Sequence, residues 1–398
     1  MIDPMRVLHF SYDHVDNPWC GGGGAIRTQE IYSRLAARGH RCTIAFGAYP
    51  GAHEHESGGL RQLPLGLGAT PAISAATYLL SAWRYLLRHG REYDVVVEDF
   101  SFFCPILVPL LRRMPSVIQL QLFGSEELLD RFGVLAPVFR TIQRRYPLRY
   151  RNAIFLTPTL ADRWPDREQR RYFIGMGIPD DYLATPATRG DYLLYLGRLS
   201  ARAKGLDTLA AACKRLWSQG VDCRVVIAGK GGDERLVREL LTNGPVDGRR
   251  VEFTGFVTGE EKLRLLAGCR ALLLPSREEG EGLCIIEAAA CAKPAIVSDI
   301  AELSFVEQNG LGWTFPVGDD EALADRMRDV LTDEASNNRV GEIARAWASR
   351  RTWDRQAEAF EAALREIVAG ESRGGRDPAV VGCDRHRKRI ARHPEASQ

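Results

Sequence analysis

Short apolar runs alternate with longer amphipathic segments along nearly the whole chain. The runs Arg6–Phe10, Cys42–Phe46, Asp94–Glu98, Ser116–Gln121 and Ala153–Leu156 have the length and composition of buried strands. Between them, Ala25–Arg38, Ile73–His89 and Pro137–Arg149 repeat apolar positions at helical spacing. The scheme then repeats. Strands are predicted at Tyr192–Leu196, Arg224–Ala228, Val251–Phe253, Ala271–Leu274 and Ala295–Val297, and helices at Leu206–Gln219, Glu234–Leu241, Glu260–Ala267, Leu283–Cys291 and Asp320–Leu331. Strand alternating with helix predicts parallel sheets covered on both faces, hence an α/β protein. The small, polar segment 184–190 with Pro186 predicts a linker between a first domain (1–183) and a second (191–351), each Rossmann-like, with a cleft between them. Residues 352–369 read as a final amphipathic helix, and 370–398, rich in arginine with little to bury, as a mobile basic tail.

A length of 398 residues suits two or three domains, and a hydrophobic fraction of 45% is ordinary for a globular chain. The net charge of +2 implies no bulk attraction to nucleic acid. The nine cysteines show no paired spacing, and neither Cys-x2-Cys nor His-x3-His occurs, so reduced thiols and no metal centre are expected. From Met1 the chain runs into a strand without a charged segment and long apolar stretch, and the longest apolar run, Phe100–Leu111, is broken by Pro105 and Pro109. A cytoplasmic location follows as an expectation, with peripheral contact at the inner membrane surface left open.

Three motifs at strand-to-helix junctions carry the chemistry. Gly21–Gly24, ahead of the first helix, allows close backbone approach to an anion at a helix N-terminus; a flexible glycine turn is the plainer reading. Gly197-Arg198 ends the first strand of the second half and Lys204-Gly205 opens the next helix. Two cations there suit a diphosphate, although two solvated surface charges would look the same. Glu279-Gly280-Glu281-Gly282-Leu283 follows the strand Ala271–Leu274 and leads to Glu287; its glycines free backbone amides and its carboxylates can accept from sugar hydroxyls.

In order, the stretches Tyr195-Leu-Gly-Arg198, Lys204-Gly-Leu-Asp207, Val226-Ile-Ala-Gly229, Val251-Glu-Phe-Thr-Gly255, Leu274-Pro-Ser276, Glu279-Gly-Glu-Gly-Leu283, Glu287-Ala288 and Asn309-Gly-Leu-Gly312 resemble the family-four glycosyltransferases of the GT-B fold. The likeness runs over roughly residues 5 to 368 and is looser in the first half, where it rests on the glycine loop and Leu35-Ala-Ala-Arg-Gly-His40. It implies a retaining, metal-independent transferase that moves a hexose-type sugar from a nucleoside diphosphate to a glycan, glycolipid or small-molecule acceptor, without a resident cofactor. It also implies a last helix that crosses back to the first domain. By the same resemblance, Arg198 and Lys204 clamp the donor diphosphate, Glu279 meets the transferred sugar and Glu287 the ribose. Gly22 and Gly23 close on the phosphates, and Gly197, Gly229, Gly280, Glu281, Gly282 and Leu283 line the donor. Phe253–Val257, with Phe256, faces the base.

Three departures from that pattern stand out. Glu281 occupies a position that is usually aromatic. Gln121 stands where a histidine is common, as a neutral hydrogen-bonding substitute. Arg198 and Lys204 are six apart, one more than the commonest spacing, so Arg202 competes with Lys204. Glu98 and Asp99 are candidates for acceptor hydroxyls, with a helix N-cap at Asp99 as the alternative. His9 and His14, near the same strand ends, read as structural before catalytic. Arg140, Arg144, Arg145, Arg149 and Arg151 form a basic stretch that is either a solvated face or a contact for anionic lipid or a phosphorylated acceptor. The absence of Gly-x-Gly-x-x-Gly with an acidic residue on the second strand argues against a nicotinamide-dependent oxidoreductase. A non-catalytic or epimerase-like nucleotide-sugar-binding protein remains the alternative function.

Overall fold

Aliphatic runs too short and too β-branched for helices build two sheets. The computed structural model describes residues 3–101, 104–121, 133–164, 168–188, 190–242 and 250–372. The first sheet comprises β1 (Arg6–Ser11), β2 (Arg41–Gly47), β3 (His55–Ser57), β4 (Leu60–Leu65), β5 (Val95–Asp99), β6 (Ser116–Leu120), β7 (Asn152–Phe155) and β8 (Arg170–Phe173). Their order is β3-β4-β2-β1-β5-β6-β7-β8, parallel except for the edge hairpin β3–β4. The second sheet, β9 (Tyr192–Leu196), β10 (Arg224–Ala228), β11 (Val251–Gly255), β12 (Ala271–Leu274), β13 (Ala295–Ser298) and β14 (Gly312–Phe315), is wholly parallel in the order β11-β10-β9-β12-β13-β14.

Each sheet reverses its direction of winding beside its first strand, at β1/β5 and at β9/β12. Open parallel sheets bind ligands beyond the carboxyl ends of strands at such points. The glycine loop follows β1, Arg198 follows β9, and Glu279 follows β12, so all three predicted motifs sit at these ends. Three of the ten predicted strands, Tyr192–Leu196, Arg224–Ala228 and Ala271–Leu274, match the observed bounds, and the others differ by one or two residues at an end. Unforeseen were β3, β4, β8, β14 and the helix Glu334–Ala348.

The chain crosses between domains upstream of the predicted linker. Past β8, residues Ile174–Ile178 run beside the returning segment: the Ile178 N–H donates to Arg351 O at 2.9 Å and the Trp353 N–H to Ile178 O at 3.1 Å. A Cβ on Gly177 would lie 2.6 Å from the Trp353 ring, so this crossing is packed backbone on indole. Thr185–Thr188 is already fastened to the second domain, its carbonyls accepting from Arg345 (2.7 Å) and Lys293 (2.5 Å). The helix Trp353–Ser372 then lies against the helix Gly23–Ala37, with Arg34 paired to Asp354 at 2.7 Å and Arg38 to Glu358 at 3.2 Å. The last helix therefore crosses back, as the resemblance implies. The predicted basic tail lies outside the described residues from Arg373 onward. No helix among the described residues is long and apolar enough to cross a membrane.

Glu98 is a correction. The alternation of β5 turns it inward, where it is fully buried. Its carboxylate accepts from the backbone N–H groups of Ile106 (2.8 Å), Leu107 (3.3 Å) and Val108 (3.3 Å), and from the Tyr150 hydroxyl. It organises the loop after β5 and meets no acceptor. Burial pushes its carboxyl up to about 7 against these hydrogen bonds. The native state therefore holds this proton more tightly than the unfolded chain, and the associated stability is complete below the ordinary glutamate range and is lost as pH rises through 7. The stability difference between wild type and Glu98→Gln should shift by about 3 kcal/mol in favour of the variant from pH 4 to pH 8. Urea unfolding of both proteins at the two pH values checks this, and a difference that does not move with pH overturns it.

Candidate active site

The second-domain wall of the cleft is shaped by glycines at which two backbones nearly touch. A Cβ on Gly229 would overlap the carbonyl of Gly197, and one on Gly231 that of Leu199, so the ends of β9 and β10 close on each other as only glycine permits. Tyr195 donates its hydroxyl to Arg198 O at 2.7 Å, fixing the turn from which the exposed Arg198 side chain projects. Among the described residues that guanidinium has no ion-pair partner.

Lys204 is held more firmly. Gly205, at φ +63°, lets the chain pass against the carbonyl of Pro275. Arg277 then pins the loop, donating to Arg202 O (2.7 Å) and to Asp207 (2.6 Å). Lys204 Nζ reaches Glu279 Oε1 at 2.6 Å and Glu278 O at 3.1 Å, and the buried Ser276 hydroxyl donates to the same Glu279 oxygen at 3.0 Å. Of the two competing cations it is Lys204 that reaches the Glu-Gly-Glu-Gly turn, while Arg202 is exposed. Glu287, one turn into the helix Leu283–Ala290, is buried and paired with Lys262 at 2.5 Å; burial raises its carboxyl and Lys262 opposes that shift. Phe253 lies under the Arg238 guanidinium at 4.2 Å, and Phe256 is 65% exposed at the end of β11.

The first domain closes the cleft from above. Gly22 is the N-cap of the helix Gly23–Ala37, with open space where a side chain would stand. A Cβ on Gly23 would be 3.9 Å from Leu283 across the cleft. A Cβ on Gly24 would meet Gln121 Oε1 at 2.7 Å, and one on Gly280 would meet Gln121 O at 2.6 Å. Gln121 thus touches the glycine loop through its side chain and the Glu279–Leu283 turn through its backbone. Gly282, at φ +72°, starts the helix that carries Leu283 and Glu287.

Two further expectations change. Asp99 does not cap a helix: it ends β5, lies 3.1 Å from His9 Nε2, and accepts from Gln119 at 2.5 Å. Burial would raise its carboxyl, but His9 together with Ser11 and Gln121 outweighs this and holds it below the ordinary range. Glu281 does not face the donor side. Its carboxylate is 2% exposed and turned into the domain crossing, paired with Arg351 and accepting from the Met176 N–H at 2.7 Å. His9 stacks on Tyr32 (4.9 Å) and His14 on Phe46 (4.1 Å), and burial lowers His14, so both rings are structural. Sequence reasoning missed Asp13, which burial and the nearby Asp99 push up to about 6. It also missed Arg27, Ser276, Arg277, Lys262 and Arg351, whose importance arises from contacts distant in the chain. No group of three potential metal ligands occurs among the described residues.

Residues 185–347 match the family model for glycosyl transferases group 1. Residues 185–347 therefore form a group 1 glycosyl transferase domain. It is 32% identical over 176 residues to a GDP-mannose-dependent alpha-(1-6)-phosphatidylinositol dimannoside mannosyltransferase of Mycobacterium tuberculosis, covering 43% of each chain. It is 33% identical over 270 residues to a glycogen synthase of the same species, covering 68% of this chain and 57% of that one. These matches span about half the length of the curated relatives. The solved structure of sucrose-phosphate synthase from Thermosynechococcus elongatus superposes with a TM-score of 0.72 at 20% identity, over 92% of this chain and 100% of that one, a likeness of fold. The two-sheet architecture is that of the GT-B fold.

Gly205→Ala should lower stability by at least about 2 kcal/mol, because it combines a left-handed backbone with overlap on Pro275. Gly22→Ala, with φ −93° and open space, should leave stability unchanged. Chemical denaturation of the two variants checks the contrast, and equal stabilities overturn it.

Proposed function

We propose that the chain transfers a sugar from a nucleoside diphosphate sugar to an acceptor hydroxyl, with retention at the anomeric carbon. The observation that carries this reading is the cluster Lys204–Glu279–Ser276 at the end of β12, beside the unpaired Arg198 and opposite the glycine loop. Arg198 and Lys204 hold the diphosphate and stabilise the charge that grows on it as the sugar leaves. Lys204 moves from a carboxylate to a phosphate on donor binding, and Glu279, still bonded to Ser276, turns its free acceptor capacity to sugar hydroxyls. The amides of Gly280, Gly282 and Leu283, with Gly22 and Gly23, enclose sugar and phosphates. Glu287, steadied by Lys262, takes the ribose, and Phe253 and Phe256 with Gly197 and Gly229 line the nucleoside. The two cations supply the positive charge that a metal provides elsewhere, and no resident cofactor is needed.

A panel of uridine, guanosine and adenosine diphosphate sugars, read by thermal shift and then by transfer, identifies the donor. With that donor, Arg198→Ala and Lys204→Ala should each reduce turnover by about 10²–10³ while folding normally, and a chelator should leave wild-type turnover intact. Near-normal turnover in both variants, or loss with chelator and recovery with magnesium, overturns the metal-free diphosphate clamp.

A cytoplasmic enzyme working at the inner membrane surface is the finer reading. The eight described cysteines are unpaired. Arg144, Arg145 and Arg149 are exposed beside Val134 (94% exposed), Val138 and Leu148. A basic face with apolar side chains among the charges suits an anionic lipid headgroup layer, each arginine contributing about 1 kcal/mol near the surface. Wild type should co-sediment with phosphatidylserine vesicles at low salt, and the triple variant Arg144→Glu/Arg145→Glu/Arg149→Glu should not. Equal sedimentation of the two removes this face from membrane contact.

A further inference from the structure

The turn proposed to hold the donor shares one buried carboxylate with the domain crossing. Glu281 lies between Gly280 and Gly282, and its carboxylate grips both strands that pass between the domains. One oxygen accepts from the N–H of Met176 on the outgoing strand at 2.7 Å. The other pairs with Arg351 on the returning strand. A Cβ on Gly175 would lie 2.8 Å from both oxygens, so the glycine there is what admits the carboxylate. Arg351, two residues before the buried Trp353, is placed by stacking at 4.4 Å over Trp347. On the far side of the crossing, the buried Arg27 donates to Ile174 O at 2.8 Å and Gly175 O at 3.3 Å. The helix that carries Arg27 begins at the glycine loop.

Relative motion of two domains is taken up where the chain crosses between them. Here both crossings are fastened to each other and to Glu281. We propose that Glu281 is a positioning residue whose ion pair with Arg351 couples the Glu279–Leu283 donor turn to the hinge, so that nucleotide binding and domain closure act as one equilibrium. The inference rests on the donor-site reading above. A donor that shifts the turn pulls on Met176 and Arg351 together. A hinge in the closed arrangement in turn presents the amides of Gly280, Gly282 and Leu283 already placed. The carboxylate touches no donor atom and acts only through the turn and the hinge.

The test is a double-mutant cycle on nucleotide affinity. Dissociation constants for UDP, GDP and ADP are measured by calorimetry for wild type, Glu281→Gln, Arg351→Met, the double variant and Arg351→Lys, with a melting temperature for each. Glu281→Gln keeps the shape and the bond to Met176, and Arg351 is 26% exposed, so folded protein is expected throughout. Each single variant should bind the preferred nucleotide about ten-fold more weakly, within the range of allosteric couplings. The double variant should be no weaker than the weaker single, because the two side chains act as one unit. Arg351→Lys, which keeps the charge, should stay within about three-fold of wild type. Affinities of both single variants within two-fold of wild type overturn the coupling, whatever the melting temperatures do, because a purely structural pair would move only the melting temperature. Additive losses in the double variant also overturn it. If wild type itself binds none of the three nucleotides, the donor-site reading falls first.

Discussion

A guanidinium with no access to water fixes how the two domains meet. Arg27 is fully buried, and burial lowers it to about 10, still charged at neutral pH because Asp99 and Glu281 oppose the shift. Such a charge is tolerable only when its donors are used. Two of them go to the carbonyls of Ile174 and Gly175 in the outgoing crossing, and a third to Gln119 at 2.5 Å. Gln119 bonds to Asp99, and Asp99 faces His9. The series His9, Asp99, Gln119, Arg27, Glu281 and Arg351 therefore runs from the end of β1 to the returning strand.

That constraint places the cleft. The helix that carries Arg27 starts at the glycine loop, so anchoring the arginine also sets the loop over Leu283 and Gln121. From the other domain, Gly205 against Pro275 and Gly229 against Gly197 draw the ends of β9, β10 and β12 together. One cation of the proposed clamp is neutralised by Glu279, whereas Arg198 is exposed and has no ion-pair partner among the described residues. On the proposed reading, an incoming diphosphate meets Arg198 first in electrostatic terms and then competes for Lys204. The Glu279 carboxylate limits the repulsion between these two cations.

The sheets and the order of motifs were legible because both rest on local pattern: apolar runs of strand length, and glycines and charges at their ends. Strand β8 was not, since Arg170-Arg171-Tyr172-Phe173 offers no apolar run, and β14 begins at a glycine. The helix Glu334–Ala348 carries few large apolar residues and packs through Asn337, Gly341, Ala344 and Ala348. A buried polar residue looks like a surface one until its partner is known. In sequence, Glu98 and Glu281 therefore look ligand-facing, although the first binds three backbone amides and the second an arginine 70 positions away. The crossing at Ile174–Ile178 has no linker composition because it is packed, not solvated.

Two of the three departures from the family pattern, Gln121 and Glu281, meet on the same seam. The Gln121 carbonyl abuts Gly280, the residue before Glu281. The Gln121 side chain helps hold Asp99 below its ordinary range, and Asp99 in turn supports Arg27. An aromatic side chain at position 281 would leave the Met176 N–H and Arg351 without their partner and would meet Gly175 where only a glycine now fits. The carboxylate is thus compensated by its own surroundings. It belongs to a charged seam that a change at one position alone would unbalance, and this explains why a buried glutamate persists in a turn otherwise built for a neutral ligand surface.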